Sequence, residues 1–298
     1  MRWVKRVAVL ALAAAALFLV DRRWQTVPAH RAEWLSAGDV VVRVVRAGRG
    51  DTTIVLLHGY MESLIAWRPL FDHFARRYRV IALDIPGFGL SDKPAGPYTL
   101  AAQAARLSGF LDRWTTGPVI VVGHSMGGEL AAELAIARPD RVVAAVLLAP
   151  AGWGLAARLD SLRPGTVALI GWAAAAAAVT VLPVHDPAWL TEPPDHATYD
   201  PLQDPAYRAA SSAVLRQFDF GALRDSTARL RQPVLLLWGR EDPTIPFAVG
   251  RRLAAELPCV QFVPLSAMLH RPHESDPDTV IALMDPFLRH PRCGSAHP

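Results

Sequence analysis

The sequence has few cysteines and no cluster of metal-binding side chains. Its 298 residues contain only Cys259 and Cys293, too few for a disulfide framework. A single bridge between the two is neither implied nor excluded by the sequence. No group of His, Cys, Asp and Glu has the spacing of a metal site, and no internal repeat is present. We therefore expect neither a metal nor a cofactor.

Excess charge is also absent from most of the chain. The net charge is +4, and residues 1–24 account for all of it. In that segment Asp21 is the one acid, and the basic residues are Arg2, Lys5, Arg6, Arg22 and Arg23. The neutral remainder is poorly suited to binding phosphates, so we expect no nucleic-acid partner.

Residues 1–25 are predicted to form an N-terminal membrane anchor or signal segment. The uncharged run Val7–Val20 would rise about 21 Å as a helix, which is shorter than a bilayer core of roughly 30 Å. Trp3 and Trp24 flank the run, and basic residues beside it extend the usable span. This pattern favours an uncleaved single-pass anchor with an exported body. The alternatives are a cleaved signal peptide with a secreted body, and a peripheral or buried helix.

The body alternates apolar runs with helix-like segments. The apolar runs are Val40–Val45, Ile54–Leu57, Val80–Leu83, Val119–Val122, Val143–Leu148, Val234–Trp238 and Val260–Val263. The helix-like segments include Trp67–Arg77, Leu100–Trp114 and Glu129–Ala137. This alternation predicts an α/β fold with a mostly parallel sheet covered on both faces. The rhythm breaks in residues 151–231, which we interpret as a helical cap inserted between core segments 26–150 and 232–298.

The cap contains an uncharged run of eighteen residues, Val167–Val184. Its length is that of a membrane helix candidate. A single span here would separate Ser125 from every residue after 184, so that residues proposed below to act together could not meet. We therefore expect a cap helix that faces the substrate cavity or rests against lipid.

A serine lies at a predicted strand-to-helix turn. Residues 123–127 read G-H-S-M-G, directly after the buried strand Val119–Val122. This is the G-x-S-x-G pattern of a nucleophile elbow, in which a strained turn exposes the serine oxygen. The hypothesis is that Ser125 is a nucleophile. The alternative is a glycine-rich turn with an incidental serine.

A serine nucleophile needs a base, and the base needs an orienting group. Asp242 follows the strand Val234–Trp238, and His270 follows the strand Val260–Val263. Both are expected at the same sheet edge as Ser125, where substrates of open α/β sheets bind. For the developing oxyanion, the proposed donors are the backbone N–H groups of Tyr60 and Met126.

The chain from about Val40 to Leu288 resembles the α/β-hydrolase superfamily of serine hydrolases with a helical cap. The matching motifs are H-G at 58, D-I-P-G-F-G-L-S-D-K-P from 84, G-H-S-M-G-G from 123, G-R-E-D-P-T-I-P from 239 and H-R-P-H-E from 270. The resemblance implies that Ser125 is the nucleophile, His270 the base and then the acid, and Asp242 the orienting residue. It likewise implies an oxyanion hole at Tyr60 and Met126.

The match departs from the family pattern at Leu269, where the family usually has glycine before the histidine. His273 is the competing candidate for the base. Other polar residues near the motifs are expected to be structural. Asp84, Asp92 and Glu241 would stabilise turns or face solvent, and His58 and His124 would make structural hydrogen bonds.

The expected reaction is hydrolysis of a carboxylic ester, with a lipophilic small molecule as substrate. The apolar leader and the alanine-rich cap favour such a substrate. Carbon–carbon bond hydrolysis, perhydrolysis and acyl transfer use the same triad and remain alternatives. A non-catalytic ligand-binding protein of this fold is the alternative from a different class.

Overall fold

One large β-sheet forms the centre of the protein. The computed structural model describes residues 30–152, 184–186, 189–191, 199–224 and 226–294. Within these residues the strands are β1 (His30–Ala37), β2 (Val40–Ala47), β3 (Thr53–Leu57), β4 (Arg79–Leu83), β5 (Val119–His124), β6 (Val142–Leu148), β7 (Leu190–Thr191), β8 (Val234–Gly239) and β9 (Val260–Leu265).

The order across the sheet is β7-β1-β2-β4-β3-β5-β6-β8-β9. From β4 to β9 every neighbouring pair is parallel. Only β2 runs antiparallel to its neighbours, β1 and β4. The predicted α/β fold with a mostly parallel sheet is therefore confirmed.

Helices cover both faces of the sheet. In the described residues they are α1 (Arg68–Ala75), α2 (Leu100–Trp114), α3 (Met126–Ala137), α4 (Pro205–Gln217), α5 (Phe247–Glu256), α6 (Pro272–Ser275) and α7 (Pro277–Arg289). Val55 and Leu57 of β3 belong to the hydrophobic cluster that includes α2 and α3. Ile54 and Leu56 belong to the opposite cluster, with α1 and α7. Successive side chains of a strand point to opposite faces, so burial on both sides produces the continuous apolar runs seen in the sequence.

Two strands were not predicted. β1 contains Arg31 and Glu33 and lies near the edge of the sheet, so it has no continuous apolar run. β7 is only two residues long and pairs with β1 from within the predicted cap. α3 begins at Met126, three residues earlier than predicted. The prediction missed its first turn because that turn contains two glycines, which have low helix propensity.

Several predicted segments lie outside the described residues. These are the leader, residues 1–25, and all of the apolar run 167–184 except its last residue. No helix in the described part of the chain has both the length and the apolar character needed to cross a bilayer. Within residues 151–231, the described residues include the helix α4.

The C-terminal segment is tied to the edge of the sheet. Cys259, just before β9, forms a disulfide with Cys293, which follows α7. The backbone N–H of Gly294 donates to the carbonyl of Val260 at 3.2 Å. The Gln261 side chain donates to the carbonyl of Arg292 at 2.8 Å. The bridge that the sequence left open is therefore present.

Candidate active site

Ser125 occupies a strained turn between β5 and α3. Its backbone has φ +52° and ψ −118°, outside the regions that L-residues favour. Such a conformation costs on the order of 1–3 kcal/mol and persists only where surrounding structure enforces it. Four backbone bonds hold the turn: Ser125 N–H donates to Leu148 O, while Ser125 O accepts from Gly128, Glu129 and Ala151. Ser125 itself is half-buried.

The glycines around Ser125 allow strand and helix to approach closely. A Cβ on Gly123 would overlap the carbonyl of Gly127. A Cβ on Gly127 would overlap the carbonyls of Leu57 and His58 at the end of β3. Because both positions need the absence of a side chain, the G-x-S-x-G spacing reflects packing at the turn.

His270 and Asp242 meet beyond the ends of β9 and β8. His270 Nδ1 lies 2.7 Å from Asp242 Oδ2. The other carboxylate oxygen of Asp242 accepts the backbone N–H groups of Thr244 at 2.8 Å and Ile245 at 2.9 Å. The Asp242 side chain is fully buried and fixed by three donors. It therefore orients the imidazole with Nδ1 protonated, which leaves Nε2 of the neutral ring as an acceptor.

Burial lowers the pKa of His270, and the hydrogen bond to Asp242 opposes that shift. His270 is consequently neutral at pH 7, the state that can accept a proton. Its neighbour is His124, directly before Ser125, and the two ring centroids lie 4.7 Å apart. No hydrogen bond between the Ser125 hydroxyl and His270 is present in the described residues. Such bonds are often long until substrate binds.

The proposed oxyanion donors lie at two neighbouring strand ends. Met126 is the first residue of α3, where backbone N–H groups have no acceptor within the helix. Tyr60 follows β3, and its hydroxyl donates to the carbonyl of Ser211 in α4 at 3.0 Å. Within the described chain, neither the Tyr60 nor the Met126 N–H donates to a protein acceptor. This loop is further tied to α4 because the Tyr207 hydroxyl donates to the Met61 carbonyl at 3.3 Å.

The two flanking histidines, His58 and His124, have different protonation states. His58 Nε2 accepts the N–H of Ile85 at 2.9 Å, so Nδ1 carries the proton and donates to Gly59 O at 2.7 Å. Burial also lowers the pKa of His58, and the ring is neutral. Both nitrogens of His124 face oxygen acceptors, namely Glu62 Oε2 at 3.1 Å and the His270 carbonyl at 2.9 Å. Both of its nitrogens therefore donate, as in an imidazolium paired with a carboxylate.

Glu62 is the residue that the sequence analysis did not identify. Its side chain is buried, and Oε2 accepts the N–H of Gly59 at 2.7 Å as well as His124 Nδ1. Burial opposes charge on both members of the pair, but their attraction prevails. The pKa of Glu62 is lowered and that of His124 is raised. The available signal was an acid in the otherwise apolar stretch Y-M-E-S-L-I-A-W after H-G.

His273, the competing base, makes no hydrogen bond to Asp242 in the described residues. Its ring is fully buried and stacks on Trp67 with centroids 4.6 Å apart. Neither ring nitrogen has a hydrogen-bond partner in the described residues. Burial holds its pKa well below the ordinary value. His270 is thus the histidine that the fold brings to the carboxylate.

One group in the described residues has the composition of a cation site. The ligand atoms of Glu62, His124 and His273 all lie within 4.8 Å of one another. Both nitrogens of His124 and one oxygen of Glu62 are already engaged in hydrogen bonds. A cation there would have to displace the proton between Glu62 and His124.

The remaining polar residues named from the sequence have structural contacts. Asp84 forms a fully buried ion pair with Arg43 at 2.7 Å and also accepts the N–H groups of Leu64 and Leu90. Asp92 accepts the N–H of Val41 at 2.7 Å. Glu241 is exposed. The side chain of Leu269, the departure from the family pattern, is 55% exposed and accommodated beside His270.

A second buried acid, Glu129, lies one turn after Ser125 in α3. Its side chain is fully buried, and neither carboxyl oxygen has a partner in the described part of the chain. Burial raises its pKa well above the ordinary value, and the charges of Asp219 and Glu133 add to the shift. A Cβ on Gly152 would overlap its carboxyl group, so glycine is needed there. Glu129 is therefore a buried acid in α3 whose raised pKa favours the protonated form.

Known proteins resemble this chain over much of its length. The model of the alpha/beta hydrolase family matches residues 54–283. The lipase LipV of Mycobacterium tuberculosis is 42% identical over 102 residues, 34% of this chain and 38% of the lipase. A 2-hydroxy-6-oxononadienedioate/2-hydroxy-6-oxononatrienedioate hydrolase of Cupriavidus pinatubonensis is 28% identical over 228 residues, 72% of this chain and 78% of that enzyme. The solved structure of CarC, a serine hydrolase involved in carbazole degradation, has a TM-score of 0.67 at 25% identity, covering 88% of this chain and 99% of CarC.

Proposed function

The chain belongs to the alpha/beta hydrolase family, and on that premise we propose that it is a serine hydrolase that cleaves a lipophilic carboxylic ester. The observation that carries the proposal is the 2.7 Å contact between Asp242 and His270 at the sheet edge that also bears Ser125. A strained serine, a neutral histidine and a buried carboxylate are the parts that acyl transfer needs.

In this proposal Ser125 attacks the ester carbonyl, and His270 Nε2 takes the hydroxyl proton. Asp242 stabilises the resulting imidazolium through Nδ1. The N–H groups of Tyr60 and Met126 bind the oxyanion, each contributing about 3–4 kcal/mol to lowering the barrier. His270 then protonates the leaving alcohol. Water, deprotonated by His270, hydrolyses the acyl-serine and regenerates the hydroxyl.

Two observations support an ester over other substrates. The similarity to a lipase favours an acyl ester, and the apolar runs of the leader and cap favour a lipophilic one. The similarity to a 2-hydroxy-6-oxononadienedioate hydrolase favours carbon–carbon bond hydrolysis as the second candidate. The triad is common to both, so the substrate must be tested directly.

We also propose that an N-terminal anchor holds the catalytic body outside the cytoplasm. The basic start and the run Val7–Val20 support an anchor. The Cys259–Cys293 bridge supports export, because disulfides persist mainly in oxidising compartments. Membrane fractionation, followed by protease treatment of intact cells, tests this. Soluble protein, or protein protected from protease, would contradict it.

The activity is tested by fluorophosphonate labelling with peptide mapping, together with p-nitrophenyl esters of increasing acyl length and a 2-hydroxy-6-oxo-dienoate. We expect label on Ser125 and turnover that rises with acyl length. Ser125→Ala should abolish both, whereas Ser108→Ala in α2 should change neither. Label with turnover of only the dienoate would replace the ester by the second candidate. A folded protein that takes no label would contradict a serine hydrolase.

A further inference from the structure

Four chain segments carry the proposed catalytic groups, and one buried side chain contacts three of them. Glu62 accepts the N–H of Gly59, which precedes Tyr60 in the oxyanion loop, at 2.7 Å. It accepts His124 Nδ1 at 3.1 Å, directly before Ser125. Its second oxygen lies 4.0 Å from the guanidinium of Arg271, directly after His270. The carboxylate is thus the point where all three segments meet.

His124 continues this network to the base. Its Nε2 lies 2.9 Å from the backbone carbonyl of His270. A carbonyl can only accept, so Nε2 carries a proton, and Nδ1 must carry one to bond the Glu62 carboxylate. A doubly protonated ring is a stronger donor than a neutral one, and such a charge-assisted bond is short and directional. His270 is therefore held at two points, by Asp242 at its ring and by His124 at its backbone.

The hydrogen bond between His124 and the His270 carbonyl is shielded from water by the groups around it. The side chain of His124 is 1% exposed and that of Glu62 is 6% exposed. His273 packs against His124 with ring centroids 4.7 Å apart, and Trp67 stacks on the far side of His273. A buried ion pair is rarely retained for stability alone, because desolvation offsets most of the attraction. Its location under all three segments indicates a role in their alignment.

We propose that the Glu62–His124 ion pair is a positioning unit for the base: Glu62 fixes the His124 imidazolium, which in turn holds the His270 carbonyl and so aligns Nε2 of His270 with Ser125. The inference rests on the proposed serine hydrolase function. Both side chains are buried, so the proposed role is to position the base. The loop that carries His270 has Leu269 where the family pattern has glycine. The hydrogen bond from His124 to the His270 carbonyl is a second attachment of this loop.

The two nitrogens of His124 can be separated by substitution. The amide nitrogen of glutamine reaches the position of Nε2, and that of asparagine reaches only the position of Nδ1. His124→Gln therefore keeps the donor to the His270 carbonyl, while His124→Asn keeps only the contact with Glu62. Glu62→Asp, a third variant, retains the charge but withdraws the carboxylate from His124 by one methylene.

The experiment measures kcat, KM and the rate of fluorophosphonate labelling for these variants, with thermal melts to establish folding. We expect His124→Asn to lower kcat and the labelling rate by about 10²-fold with little change in KM, because misplacement of about 1 Å costs that much. His124→Gln should recover most of the loss, and Glu62→Asp should lower kcat to an intermediate value.

The control is a histidine–carboxylate pair far from the site. His73 Nε2 lies 3.1 Å from Asp285 Oδ2 between α1 and α7, and both side chains are about one third exposed. His73→Gln and His73→Asn should leave kcat unchanged. Equal kcat in folded His124→Gln and His124→Asn would overturn the proposal, as would wild-type kcat in Glu62→Asp. Absence of label on wild-type Ser125 would instead overturn the serine hydrolase function itself.

Discussion

Asp242 and His270 are separated by 28 residues in the chain, and their side chains lie 2.7 Å apart. The fold creates this contact by laying β8 and β9 side by side and parallel, so that the loops after both strands emerge at one edge. The carboxylate accepts from the ring nitrogen and from two backbone N–H groups, which fixes its direction before any substrate is present.

The first prediction concerns pH. Burial lowers the pKa of His270 below 6.5, and only the neutral ring can accept the serine proton. Activity should therefore increase as pH rises through an apparent pKa below 6.5 and reach its plateau by about pH 7. The measurement is kcat/KM for a p-nitrophenyl ester between pH 4.5 and 8, with the stability of the enzyme checked at each pH. An acidic limb centred above pH 7 would show that His270 is not the base.

The second prediction concerns Asp242→Asn. The amide would donate to Nδ1 where the carboxylate accepts, so the proton would move to Nε2 and block its role as base. We expect kcat to fall by about 10⁴-fold with the fold intact. Asp285→Asn, which alters the partly exposed carboxylate beside His73, is the matched control and should retain wild-type kcat. A loss of less than tenfold in Asp242→Asn would remove Asp242 from the triad.

The third prediction concerns Glu129→Gln. The folded-state pKa of Glu129 is raised, so the native protein holds a proton that the unfolded chain releases above about pH 4.5. The contribution of Glu129 to the free energy of unfolding is therefore most favourable below that pH. This contribution is lost as pH rises, with a slope of at most about 1.4 kcal/mol per pH unit. Glu129→Gln removes this dependence, so its melting temperature relative to wild type should increase from pH 5 to pH 8.

The control for Glu129→Gln is Glu241→Gln, which changes an exposed glutamate. Its melting temperature should follow the wild type at every pH. If the difference between Glu129→Gln and wild type is the same at pH 5 and pH 8, Glu129 is ionised in the folded protein, contrary to this prediction.

The fourth prediction concerns the disulfide, which closes a loop across a sequence separation of 34. Loop-closure entropy predicts that the double variant Cys259→Ser/Cys293→Ser loses about 3–4 kcal/mol of unfolding free energy. The measurement is urea unfolding of both proteins, with and without reductant. The chain has no other cysteine, so reductant should lower wild-type stability to that of the variant and leave the variant unchanged. Identical unfolding curves for oxidised wild type and variant would contradict the bridge.

The parts of the fold that sequence analysis identifies are those encoded locally. β5 begins with four consecutive buried β-branched residues, and the turn after it needs glycine at fixed positions. Asp242 follows β8 and His270 follows β9, so recognising each strand is enough to bring the two residues to one sheet edge. These features depend on residues that are close in sequence.

Other features depend on contacts between distant segments. Glu62 acquires its role only when the ends of β3 and β5 and the loop after β9 converge, and no spacing in the sequence encodes that meeting. For β1, by contrast, the sequence did contain a local signal for the strand. The two residues between β1 and β2 are Gly38 and Asp39, and Gly38 has a φ of +65°. A glycine-containing two-residue turn followed directly by the strand-like run Val40–Val45 predicts a hairpin.

The C-terminal segment has a consequence for self-association. β9 is the outermost strand at its end of the described sheet, and a bare strand edge is a template for pairing with another molecule. The bond from Gly294 of the tail to Val260 and the bond from Gln261 to Arg292 of the tail, together with the Cys293 bridge, cover the first residues of that edge. Loss of the disulfide would free the tail that covers this edge, so we expect the reduced protein to expose more of β9 for pairing than the oxidised one.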